Sequence, residues 1–239
     1  MNHPIEIMKM FLPCLTVALA GSLQWASAGD ITGKVTLKGT PKPEIEIDLG
    51  AMCGPLNPNK KVTTRHYVVG PGGGLANVFV YLKDAKPAPP AAEPPSLDQQ
   101  GCMYEPYVMG VVVNQKFKLR NSDPLLHNVH ATPKPGLNKE FNFGQVSKGQ
   151  ENERSFDQPE VLVRMKCDVH PWMFAYIGVC EHPYFAITDK EGNFKISGAP
   201  DGKYSIVAYH LKTHGANPGL SQSIDLKGSA KQDFTVEIP

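Results

Sequence analysis

Cys167-Asp168-Val169-His170-Pro171-Trp172-Met173 sets a thiol, an imidazole and a thioether at three-residue steps. Thiolate and thioether are soft donors that favour copper, whereas zinc draws its four ligands from Cys, His and carboxylates and gains nothing from a thioether. The plainer reading is a buried Cys and Met with a solvated His between them, and it predicts no partner His elsewhere. A partner is present. In Asn121-Ser122-Asp123-Pro124-Leu125-Leu126-His127-Asn128-Val129-His130 a polar turn breaks into an alternating segment that carries two histidines. Working outward, Glu160-Val161-Leu162-Val163-Arg164-Met165-Lys166 is an apolar-rich strand that delivers Cys167, and residues 174–179 form the next strand. The metal loop is thus a turn between two strands of a β-protein.

The residues from Cys167 to Met173 resemble the ligand loop of amicyanin. The run from Asn121-Ser122-Asp123 to His127-Asn128-Val129 resembles the segment that carries the first histidine of amicyanin, pseudoazurin and plastocyanin. This part of the chain is therefore similar to the cupredoxins. The resemblance implies a Greek-key β-sandwich with one type 1 copper, bound by His127, Cys167 and His170 and tuned by a weak axial contact from Met173. It favours His127 over His130, because His127 stands directly before Asn128-Val129, and it has the backbone N–H of Asn128 bonding the thiolate. His130 is then a strand histidine with a ring nitrogen free for a hydrogen bond. The resemblance also implies that the edge of His170 is the electron port. Pro171 and Trp172 would supply an apolar patch on which a redox partner docks transiently; core packing is the other reading of Trp172. The sequence departs from the family at Met165, where an aromatic is commoner, and at Asp168-Val169, which replace Thr-Pro of the amicyanin loop.

The 239-residue chain can bury one large or two modest cores, and 22 Gly with 22 Pro suit a turn-rich, all-β protein. A formal charge of +1 gives no electrostatic reason to expect nucleic acid. Lys9, the apolar run 10–20 and Ala26-Ser27-Ala28 read as an export signal over residues 1–28. The chain is expected to be periplasmic or otherwise exported, with no stable membrane insertion after cleavage. In an oxidising compartment spare thiols pair. With Cys167 on a metal, Cys53 and Cys102 are the favoured pair, since both lie in Gly-flanked irregular chain, and Cys180 reads as a small buried hydrophobe.

Alternation over residues 31–37, repeated at Ile45, Ile47 and Leu49, then at residues 66–69 and 75–82, gives strands before a Pro/Ala-rich spacer at 86–95. Residues 108–113 and 116–120 are strands beyond it. Residues 185–196 read as a hairpin, and residues 200–209 as a turn and a strand. The late pattern Thr188-Asp189 to Gly192-Asn193-Phe194, with Pro200-Asp201-Gly202-Lys203-Tyr204, resembles the carboxypeptidase regulatory-like, transthyretin-like module. The resemblance implies a nested chain: residues 29–85 and 184–239 form one Ig-like sandwich, with a cupredoxin of residues 96–183 inserted in or adjoining it.

No G-x-S-x-G, H-E-x-x-H or P-loop occurs, and no second group of histidines suits a copper oxidase. The expected function is electron transfer between redox proteins, not enzymatic catalysis. The alternatives are a copper carrier or chaperone and a glycan- or envelope-binding module built on the outer sandwich. Oligomeric state leaves no mark on the sequence.

Overall fold

The computed structural model describes residues 28–90, 93–214 and 219–238. The expected leader therefore lies outside the described residues, apart from Ala28. The molecule is all-β, and among the described residues four sheets are arranged as two sandwiches.

The inner sandwich uses the middle of the chain. One sheet runs, in order, Tyr104–Glu105, Ser96–Gln99, Phe117–Asn121 and Glu151–Arg154. The facing sheet runs Val108–Val112, Phe174–Cys180, Glu160–Lys166, His127–Thr132 and Phe141–Gln145. Side chains alternate as the period of two requires: Phe117, Leu119 and Asn121 are buried while Arg120 is exposed. Leu97, Tyr104, Phe117 and Leu119 meet Val129, Val163, Met165 and Ile177 in a single core.

The outer sandwich joins the two ends of the chain. Ala28–Lys38 pairs with Asn193–Pro200, Ala230–Lys231 and Phe234–Glu237 in one sheet. The other sheet runs Phe185–Ile187, Phe79–Leu82, Gly202–Tyr209 and Leu220–Leu226. Ile31 and Val35 from the first strand share a core with Ile206 and Ala208.

Phe79 and Phe185 join the sandwiches by lying on a neighbouring strand pair of the inner sheet. Gly178 and Gly110 stand opposite each other there. A Cβ on Gly178 would meet the Phe79 ring at 2.3 Å, and one on Gly110 would meet Phe185 at 2.2 Å. Only bare backbone lets the rings approach. Phe79 is fully buried, which stabilises the join by about 1.5–3 kcal/mol.

Two sequence expectations are corrected here. Residues 185–196 are not a hairpin: Phe185–Ile187 and Asn193–Pro200 belong to opposite sheets. The turn between them is closed by the Asp189 carboxylate, which accepts from the amides of Glu191 and Asn193 at 3.0 and 2.8 Å and carries the chain across the core. The alternating stretches 45–49 and 66–69 form only isolated bridges, Glu46 to Thr63 and Val69 to Leu75. Pro41 and Pro43 lack the N–H groups that would extend the pairing ahead of Glu46, and Ile45 is 68% exposed. The segment is instead gathered by the Glu44 carboxylate, which accepts from the His66 and Tyr67 amides and the Thr64 hydroxyl. It leaves the outer sandwich and lies on the inner one, where Leu49, Cys53 and Leu56 pack into the inner core.

Candidate metal centre

Three loops meet at one end of the inner sandwich. His127 opens its strand opposite Gln145, and Lys166 pairs with His130 before the chain turns at Cys167. The turns at 122–126, 146–150 and 167–173 therefore lie at the same edge. The 167–173 loop closes on itself, since the Cys167 amide donates to the Met173 carbonyl at 3.2 Å and the Met173 amide donates to His170 at 2.9 Å. A seven-residue loop shut in this way brings Cys167, His170 and Met173 to the core side.

One donor atom each from His127, Cys167 and His170 lies within 4.8 Å of the others. The two Nδ1 atoms face each other at 3.0 Å, and the Cys167 Sγ is 3.6 Å from the His170 Nδ1. The Asn128 amide points at the same sulfur at 3.5 Å. Met173 is fully buried in the same core as Cys167. His130, by contrast, bonds outward to Asp168 at 2.8 Å and Glu140 at 2.6 Å.

Burial alone would push the thiol of Cys167 up and the imidazole of His127 down. Their partners overrule it. Contact with His127 and the Asn128 amide lowers the Cys167 thiol, while the Asp123 carboxylate and Cys167 raise His127 to about 9. His170, buried and beside a second imidazole, is lowered. Cys180, the other free cysteine among the described residues, is raised to about 12 by burial.

Cys53 and Cys102 form a disulfide. It does more than staple irregular chain, because its sulfurs lie within 4.8 Å of a His170 ring nitrogen. His170 is consequently only 9% exposed. The expected open edge of this histidine is covered by chain reaching across from the outer sandwich. Pro171 is exposed and Trp172 half-buried. The indole Nε1 donates to the Cys102 carbonyl at 3.1 Å, and its ring centroid is 5.4 Å from that of His170.

Sequence reasoning passed over Asp123. It stands four residues before His127, and its Oδ2 is 2.9 Å from the His127 Nε2. The carboxylate and imidazole at that spacing, within the Asn121-Ser122-Asp123-Pro124 turn, were the available signal.

No family model matches the chain, and no curated protein matches it. Solved structures similar to it include the Cu-containing nitrite reductase of Thermus scotoductus SA-01, at 19% identity over 39% of this chain with a TM-score of 0.33. That overlap spans a quarter (25%) of the nitrite reductase chain. A purple cupredoxin of Nitrosopumilus maritimus is 20% identical over 36% of this chain and 98% of its own, with a TM-score of 0.31. A Cu(I) amicyanin point mutant is 20% identical over 42% of this chain and 97% of its own, with a TM-score of 0.32.

Proposed function

We propose that the chain is an exported type 1 copper protein that passes single electrons between redox partners, with copper held by His127, Cys167, His170 and Met173. The convergence of three donor atoms within 4.8 Å at a buried loop end carries this reading. The donor set fits the metal: one thiolate, two imidazoles that face each other through Nδ1, and a thioether in the adjoining core suit copper better than any oxygen-seeking ion. Copper bound there supplies a one-electron couple.

The protein's part is to hold the ligands still and dry. His127, Cys167 and Met173 are buried, and the loop is tied by the two backbone bonds at Cys167 and Met173. The Asn128 amide offers the sulfur a donor in either oxidation state. Because His170 is covered, we assign the contact with the surface to Trp172, whose ring lies against it. The partner docks at the same loop end, where Leu126, Val146 and Val169 are 47%, 70% and 50% exposed and Pro171 adds to the apolar surface. The outer sandwich, resembling a carboxypeptidase regulatory-like module, serves as the scaffold from which the covering segment reaches. Residues 1–28 direct export, and the Cys53–Cys102 bond suits an oxidising compartment.

Stopped-flow mixing of the copper-loaded protein with small one-electron reductants tests the role. Fast exchange with copper retained, slowed in Trp172→Ala, is expected. Loss of the metal to a Cu(I) chelator faster than electron exchange would point to a carrier instead.

A further inference from the structure

The copper reading leaves unexplained why an acidic side chain is buried directly behind one ligand histidine. Asp123 is 3% exposed. Its Oδ1 accepts the Gly101 amide at 2.7 Å, and its Oδ2 accepts the Cys102 amide at 2.7 Å. That same Oδ2 faces the His127 Nε2 at 2.9 Å. The turn that presents it is itself fixed: the Asp123 amide donates to Asn121 Oδ1 at 3.0 Å, and the Asn121 side-chain amide donates to the Leu125 and Gln145 carbonyls at 2.8 and 3.1 Å. A carboxylate that already takes two backbone N–H bonds is an acceptor, so the Nε2 must carry the proton. In the neutral imidazole that binds a metal, the lone pair of His127 is then on Nδ1, the atom that faces the His170 Nδ1 at 3.0 Å.

The second imidazole is served differently. His170 has the Cys53–Cys102 sulfurs within 4.8 Å of a ring nitrogen, a neighbour with no charge to give. The two nitrogen ligands are therefore unequal by construction.

We infer that Asp123 is a positioning residue for His127, locking its tautomer and strengthening Nδ1 as a donor so that Cu(II) is favoured over Cu(I). This rests on the copper reading above. A carboxylate on the far nitrogen raises the basicity of a ligand imidazole, and loss of such a partner typically costs about 10–100-fold in metal affinity. Cu(I) prefers fewer and softer donors, so the loss should fall mainly on Cu(II). At about 59 mV per tenfold for a one-electron couple, the potential would rise by at most about 60–120 mV, reduced by whatever affinity Cu(I) loses as well.

The test uses the full chain with Asp123→Asn and Asp123→Glu, folding being checked by circular dichroism of the metal-free proteins. Cu(I) and Cu(II) affinities are measured separately by chelator competition, and the potential by redox titration. Asp123→Asn should lose about 10–100-fold in Cu(II) affinity, lose less for Cu(I) and show the raised potential; Asp123→Glu, which keeps the charge, should move the same way by less. A folded variant of either kind with the parent's potential, or with Cu(I) and Cu(II) affinities reduced equally, makes Asp123 a structural residue only and overturns the inference. A parent protein that takes no copper overturns this inference and the copper reading together.

Discussion

The two sandwiches are built on the same alternation of side chains, yet they bury different things. The outer core rests on Ile31, Val35, Leu75, Ile206 and Phe234, and two polar residues beside it serve the backbone: Thr188 donates to the Leu75 carbonyl, and the His182 Nε2 bonds the Leu82 carbonyl. The inner core ends in His127, His170, Cys167 and Asp123, whose polar atoms face one another. Buried polar groups that satisfy the backbone are architecture. Two ring nitrogens and a thiol sulfur that converge on one another are a poor match as hydrogen-bond partners unless they share a further partner, and such local conflicts mark functional sites. Cys167 and Cys180 show the contrast in miniature, the Cys167 thiol lowered by its neighbours and the Cys180 thiol raised to about 12.

If the division is real, stability and metal binding should separate under mutation. The largest loss of stability is expected for Cys53→Ala with Cys102→Ala. The bond closes a loop of 49 residues, so its removal should cost about 4 kcal/mol in chemical denaturation. The same variant should open the His170 edge and speed electron exchange with small reductants. Exchange at the parent's rate would mean that the covering segment stays in place without the bond.

Ile206→Ala comes next. Ile206 is fully buried in the outer core, and its truncation should lower stability by about 3 kcal/mol while the affinity for copper stays at the parent's value. A matched fall in copper affinity would show the two cores to be a single unit.

The smallest effect is expected on the rim of the metal loop. Asp168 is held well below the usual carboxylate range by Lys166, then by His130, Asn142 and Asn128. A depressed folded value contributes stability above the unfolded value and loses it as pH falls through the folded one. Asp168→Asn should therefore be slightly less stable than the parent at pH 7 (about neutral), and the two should converge as pH falls below 3.8 toward the folded value. A gap that persists in acid would assign the role of Asp168 to its shape and not to its charge.

Much of this was legible in the chain. Glu160–Lys166 is a strand with the bounds that its pattern marks, and the loop after it turns its sulfur and imidazole inward. Ligand spacing is local, so it survives in sequence. What was hidden depends on contacts distant along the chain. The cover over His170 comes from Cys53, more than a hundred residues away, and nothing in Cys53-Gly54-Pro55 says where it will lie. Asp123 was in plain view, but a carboxylate in a polar turn is ordinary until its burial is known. The failed strand at residues 45–49 shows the reverse case: alternation was present, but with prolines just ahead of it the pattern pairs only around the single bridge of Glu46 to Thr63.

The central claim is that the thiolate of Cys167 binds copper inside the inner sandwich. It is tested most directly by visible absorption of the full chain loaded with one equivalent of Cu(II), beside Cys167→Ser and Cys180→Ser. The account predicts an intense thiolate-to-copper charge-transfer band in the parent and in Cys180→Ser, and none in Cys167→Ser. A parent that takes up copper without the band, or a band that survives in Cys167→Ser, would contradict it.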